Sequence, residues 1–336
     1  MGAIQSYRLR LERQGWRLRA RRKSLELTPV ADRTDTIAPN DVLVFMTLRN
    51  ELLRLPFFLN YYRERGIAHF LIIDNGSDDG SQEYLAEQPD ISLWSTRKPY
   101  GKSHYGVDWL NWLLRRKGSG HWCLTLDADE FLVYPFEDSR PIPALTDWLD
   151  QSGVRSFGTL VLDMYPKGPI GTHSYKAGEN PFGTCCWFDS GNYVISRNPK
   201  YRNLWIQGGA RARMFFTDLP QTAPALNKIP LVRWEPTFTY ISSTHMLLPR
   251  GLNLVYDQGG GEKASGCLLH AKFLEHFTEK SVEETQRRQH YASAREYHAY
   301  SRMPETGPDL WTEYSDRYLN WRQLEILGLM SKGNWA

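Results

Sequence analysis

The chain has little cysteine, little net charge and no long apolar run. Four of its 336 residues are cysteines: Cys123, Cys185, Cys186 and Cys267. None forms a C-x-x-C pair, which argues against a zinc site. Cys185 and Cys186 are adjacent and poorly placed to bond to each other, and this usage fits a reducing compartment. No stretch approaches the ~20 apolar residues of a membrane-spanning helix. Residues 1–23 lack the apolar core of a secretory signal. The expectation is a cytoplasmic protein, or a peripheral one on the inner face of the cytoplasmic membrane. Repeats and low-complexity blocks are also missing. With apolar residues at 41% and charged residues at 24%, a disordered chain and a fibre are excluded.

The net charge of +3 conceals an uneven distribution. Residues 1–23 carry seven arginines and one lysine against the single acid Glu12, a charge of +7. The rest of the chain sums to −4, so its body is no nucleic-acid binder. Ile4, Tyr7, Leu9, Leu11, Trp16 and Leu18 lie among those arginines. A helix of this composition suits an anionic membrane surface. Residues 1–37 are therefore expected to form a basic arm and linker.

From residue 38 the pattern becomes regular. DVLVFMTL (41–48), AHFLIID (68–74) and ISLWST (91–96) are apolar runs suited to buried strands, as is HWCLTLDADEFLVY (121–134). Helical patterns separate them: one opens near Pro56 and closes near Gly66, a second covers QEYLAEQ, and a third, rich in Trp and Leu, covers 104–118. This alternation predicts an α/β, doubly wound sheet whose ligands bind beyond the carboxyl ends of the strands. After about residue 150 the alternation weakens. Gly, Pro, Tyr and Trp then dominate 163–262, as in loops that build a pocket. Ser281 with Glu284 matches a capping box, so 276–336 is expected to be a helical C-terminal extension of a 38–275 domain with halves at 38–150 and 151–275.

Polar groups concentrate where three strands end. The first cluster is Thr47, Arg49, Asn50 and Glu51; the second is Asp74, Asn75, Ser77, Asp78 and Asp79; the third is Asp127, Asp129 and Glu130. Parallel strands would place all three on one sheet edge. Carboxylates packed as in Leu126-Asp127-Ala128-Asp129-Glu130 repel one another unless a cation intervenes. All-oxygen ligation favours Mg²⁺ or Mn²⁺ on a substrate diphosphate.

The segment LRNELLRLPFFLNYYRERGIAHFLIIDNGSDDGS, followed by LTLDADEF, resembles a family 2 glycosyltransferase of the GT-A fold. It is most similar to the bacterial branch whose first strand ends in R-N-E. The blocks GGARARMFF, LNKIPLVRW, SSTHMLLP and GCLLHAKFLEHF look like that branch too. The resemblance implies a metal-dependent, inverting transfer of a sugar from a nucleotide diphosphate sugar to a glycan or lipid-linked acceptor, as in bacterial surface polysaccharide assembly. It implies that Thr47, Asn50 and Glu51 lie near the donor nucleotide, that Asp74 bonds its base or ribose, and that Asn75 and Ser77 shape that turn. Asp127 and Asp129 match the metal and diphosphate motif, with His270 completing the metal site and His245 its rival.

Arg211, Arg213 and Lys228, with Arg97 a weaker candidate, are potential partners for the leaving diphosphate. Gly208 and Gly209 would let the backbone approach a phosphate. The family's usual acidic pair for a catalytic base has no clean match, which leaves Asp189 and then Asp163 as the candidates. Two alternatives stay open: a non-catalytic nucleotide-sugar or glycan-binding protein on a degenerate transferase scaffold, and a metal-dependent nucleotidyltransferase or phosphohydrolase.

Overall fold

The computed structural model describes residues 3–257, 261–274 and 307–336. It is an α/β structure built on a nine-stranded mixed sheet. Four apolar runs become parallel strands: β2 (Val42–Leu48), β3 (His69–Asp74), β4 (Ile91–Ser95) and β5 (Trp122–Thr125). All but Thr47 and Ser95 of their residues are buried. Side chains alternate across β2. Val42, Val44, Met46 and Leu48 pack with Phe58 and Tyr62 of α2 (Leu55–Glu64). Leu43 and Phe45 pack on the opposite face with Trp109 and Leu113 of α4 (Val107–Leu113). A strand covered on both faces must be apolar throughout, which is why these runs do not alternate in polarity. α2 carries a proline in its first turn and is followed by Gly66 with φ +83°.

The remaining strands modify the expected plan. The run 121–134 is two strands, because the chain turns at Asp127-Ala128-Asp129. β5 ends before that turn, and β6 (Glu130–Val133) leaves it for the far edge of the sheet. The expected linker contributes β1 (Thr28–Ala31), an exposed edge strand antiparallel to β4. The region 163–262 is more than loops. It supplies β11 (Asn227–Arg233), which runs antiparallel between β5 and β7 (Ser156–Asp163). Next to β7 lies the parallel strand β14 (Ser265–His270). The order is β1-β4-β3-β2-β5-β11-β7-β14-β6.

The arm is a helix, α1 (Ala3–Lys23), docked on the body through Leu9, Trp16 and Ala20. Ser281 and Glu284 lie outside the described residues. The part of 276–336 that is described departs from a helical extension. Residues 307–336 hold a two-residue strand and one short helix (Trp321–Ile326), and otherwise run irregularly along the core. Trp321, Leu324, Met330 and Trp335 join the main hydrophobic cluster.

As an edge strand, β6 would leave backbone groups unpaired. Two neighbouring tyrosines of α2 meet them. Tyr61 donates to the Leu132 carbonyl, and Tyr62 donates to the Glu130 carbonyl while accepting from the Leu132 N–H. Both hydroxyls are buried, and burial raises their pKa well above the usual range. Replacing Tyr62 with Phe strands a buried N–H and a buried carbonyl together. Tyr62→Phe is expected to lower unfolding free energy by ~2 kcal/mol in urea titration. A change within error would mean that water replaces the hydroxyl.

Candidate active site

The parallel pairing places the ends of β2, β3, β4, β5, β7 and β14 on one edge, where β11 and β6 begin. Register then does the assembly. His270 stands opposite Asp163 on β7 and opposite Glu130 on β6. Its Nδ1 lies 2.8 Å from Asp163 Oδ1, and its Nε2 lies 3.2 Å from Asp129 Oδ2. Burial disfavours the imidazolium, but Asp129 and then Asp163 outweigh it and raise the pKa to about 9. Asp163 also accepts from Arg211 Nε at 2.7 Å. Burial alone would raise the Asp163 carboxyl; Arg211 first, then His270, bring it below the ordinary range.

A second knot lies beside the first. Lys228 Nζ donates to Asp127 Oδ2 at 2.9 Å and to Glu130. Burial opposes its charge, yet the two carboxylates hold it well above the usual lysine range. Asp127 and Lys228 line a small open cleft, walled also by Thr47, Tyr100, Tyr105 and Thr244. The Oγ1 atoms of Thr47 and Thr244 are buried and have no hydrogen-bond partner among the described residues. A buried hydroxyl without a partner is costly unless a ligand or water meets it. These two therefore mark the cleft as a place where a polar ligand fits.

The cation implied by the resemblance finds part of its site here. Donation from His270 Nδ1 to Asp163 would leave Nε2 directed at Asp129, the arrangement typical of an imidazole metal ligand. Among the described residues no three His, Cys, Asp or Glu side chains converge as a metal cage. Asp129 and His270 are two ligands that fit. Mg²⁺ ordinarily takes one or two carboxylates and completes its shell with phosphate oxygens and water. Asp127 faces Lys228 rather than this pair.

Several of the expected site residues have partners within the protein. Both base candidates are already engaged. Asp163 is buried between Arg211 and His270. Asp189 holds Arg213 through both oxygens and accepts from the Tyr165 hydroxyl. Arg211 and Arg213 thus pair with carboxylates, and Lys228, also paired, lines the cleft. Gly208 has a packing reason of its own. At φ +145°, its Cβ would sit 2.0 Å from the Asn192 carbonyl oxygen, so glycine is needed where β9 (Tyr193–Arg197) passes.

The residues at the ends of β2 and β3 tie two loops together. Asp74 accepts from the Gly76 and Ser77 N–H groups and from the Ser77 hydroxyl. Ser77 Oγ accepts from the Asn50 N–H, and Asn50 exchanges two bonds with Asp78. Asn75 donates to the Thr96 and Lys98 carbonyls, and Glu51 pairs with Arg54. Arg97 is exposed beside this rim. His245 is not beside Asp129; its Nδ1 donates to the Asn227 carbonyl at 2.6 Å.

The loop between β4 and α4 was missed as a wall of the site. His104, Tyr105 and Gly106 are successive left-handed residues, with φ of 53°, 56° and 78°. Two non-glycine residues in that region are strained, and strain of this kind gathers at functional sites. The signal in sequence was modest: two tyrosines and two glycines in YGKSHYG, directly after a strand.

His245 makes a pH prediction. Burial, then the charge of Lys228, lowers its pKa to about 4 from 6.5. The unfolded chain takes up this proton first. The stability contributed by neutral His245 is thus present above about pH 6.5 and is lost as pH falls toward 4. Urea titrations across that window should show the wild type losing more stability than His245→Gln. Equal losses would mean that another group governs the acid limb.

No family model matches this chain, and no curated protein matches it.

Proposed function

We propose that the protein is a metal-dependent glycosyltransferase, moving a sugar from a nucleotide diphosphate sugar to a glycan or lipid-linked acceptor in bacterial surface polysaccharide assembly. The observation that carries this reading is the meeting of Asp127, Asp129 and His270 on one sheet edge, beside a cleft with unpartnered hydroxyls. A doubly wound sheet binds ligands at that edge.

Asp129 and His270 would hold a Mn²⁺ or Mg²⁺ ion, which when bound neutralises charge on the leaving nucleoside diphosphate. Asp163 fixes the His270 ring through Nδ1, and Arg211 fixes Asp163. Lys228 supplies a positive charge at the cleft wall where phosphate oxygens would lie. Thr47 and Thr244 offer hydroxyls to the donor, and Tyr100 and Tyr105 offer faces on which a base or sugar ring stacks.

The test is a panel of nucleotide diphosphate sugars incubated with the chain and Mn²⁺. Nucleoside diphosphate should be released from one or a few donors. Asp129→Ala should cut that release by at least ~100-fold in a variant that still folds, as its circular dichroism spectrum would show. Full activity in this variant would remove Asp129 from the metal site. Release of pyrophosphate or inorganic phosphate instead would assign the cleft to nucleotidyl transfer or phosphate hydrolysis. Binding of a donor without turnover would leave a nucleotide-sugar-binding protein.

A further inference from the structure

α1 presents two apolar stripes, and only one is used by the fold. At 100° per residue, Leu9, Trp16 and Ala20 share the side that meets the body. Ile4, Tyr7, Leu11 and Leu18 fall within about 60° of arc on the opposite side. These four are 72%, 61%, 49% and 56% exposed. Arg10, Arg17 and Arg21 border this outer stripe on one side, with Arg8 and Arg22 on the other. Leu25, just beyond the helix, is exposed as well.

The charge on α1 is largely unanswered. Arg19 pairs with Asp108, and Lys23 pairs with Glu26. The helix's own acid, Glu12, is taken by Lys200 and Tyr201. Arg8, Arg10, Arg13, Arg17, Arg21 and Arg22 make no ion pair with any described residue. Burial and the neighbouring charges of Arg115 and Arg13 even lower the pKa of Arg17. An exposed aliphatic stripe between rows of unpaired arginines complements one kind of surface, which is apolar below and anionic above.

We propose that the outer face of α1 is a docking surface for an anionic lipid bilayer. The helix lies in the plane of the interface, with Ile4, Tyr7, Leu11 and Leu18 among the acyl chains and the arginines at the lipid phosphates. A second copy of the chain is a poor occupant, because two faces edged by unpaired arginines repel. A nucleic acid would use the arginines and leave the aliphatic stripe wet. Because α1 is fixed to the body, docking also orients it. The inner side of the helix touches the cleft loop, where Trp16 stacks on His104 with centroids 4.7 Å apart and Arg19 donates to the Lys102 carbonyl. That loop would lie about one helix diameter, ~10 Å, from the lipid.

The test is flotation of the full chain with phosphatidylcholine vesicles, with or without phosphatidylglycerol. The chain should float with the anionic vesicles and largely remain behind with the neutral ones, and added salt should weaken its binding. Leu11→Gln with Leu18→Gln changes exposed side chains only. It should reduce anionic-vesicle binding at least about tenfold with an unchanged melting temperature. Arg10→Gln with Arg21→Gln and Arg22→Gln should do the same. No binding of wild type to anionic vesicles overturns the proposal. So does a loss confined to the arginine variant, because that describes a polybasic surface with no insertion. Equal affinity for a mixed-sequence RNA, insensitive to the leucine changes but lost with the arginines, would assign the face to nucleic acid.

Discussion

One imidazole between two carboxylates organises the carboxyl edge of this sheet. His270 reaches Asp163 because β7 and β14 are parallel and in register, and it reaches Asp129 because the chain turns back after β5. A slip of one residue in either strand would point His270 to the other face. The buried carboxylate of Asp163 would then lose one of its two cations. A buried charge deprived of its partner costs several kcal/mol, so the pairing of strands and the pairing of charges enforce each other.

The same reasoning extends along the edge. Three acids at this edge have their own cation: Asp163 has Arg211, Glu130 has Lys228, and Glu51 has Arg54, while the buried Asp74 is met by two N–H groups and a hydroxyl. Asp127 and Asp129 are the carboxylates closer to solvent, at 56% and 21% side-chain exposure. Internal pairing thus meets the buried charges and leaves the more accessible acids beside the cleft. Asp74, Ser77, Asn50 and Asp78 make a rim tied by their own hydrogen bonds. Their bonds join the loops after β2 and β3, and that rim stands at the same edge as the cleft.

β2, β3 and β4 were legible because each is a short apolar run ending in polar turn residues. The turn at Asp127-Ala128-Asp129 was hidden inside the apolar run 121–134. Leu124, Leu126, Phe131 and Leu132 are equally apolar, and a hidden strand looks the same before a turn as after it. β1 was illegible for the opposite reason: Thr28-Pro29-Val30-Ala31 is exposed at an edge and carries no burial pattern. Roles at strand ends were harder still. Asp74 as a loop cap and Asp74 as a ribose ligand demand the same residue in the same place. The partners of Asp163 lie 48 and 107 positions away, and no local pattern can announce a contact of that span. His270, singled out over His245, does stand beside Asp129.

α1 shows how composition can be plain while periodicity is hidden. Two apolar stripes on opposite sides cancel the one-sided pattern by which an amphipathic helix is recognised, so the segment looked like a basic arm. Its inner stripe makes it part of the body. The left-handed backbone at His104 and Tyr105 costs roughly 1–2 kcal/mol per residue, and such a conformation persists only where its surroundings hold it. Trp16 stacked on His104, and Arg19 bound to both Asp108 and the Lys102 carbonyl, are those surroundings. The helix that carries the unpaired positive charge is therefore also a brace for the loop that carries Tyr100 and Tyr105. A force or ligand that shifts α1 acts on the wall of the cleft through three named contacts, and an intact cleft in turn requires that α1 be seated.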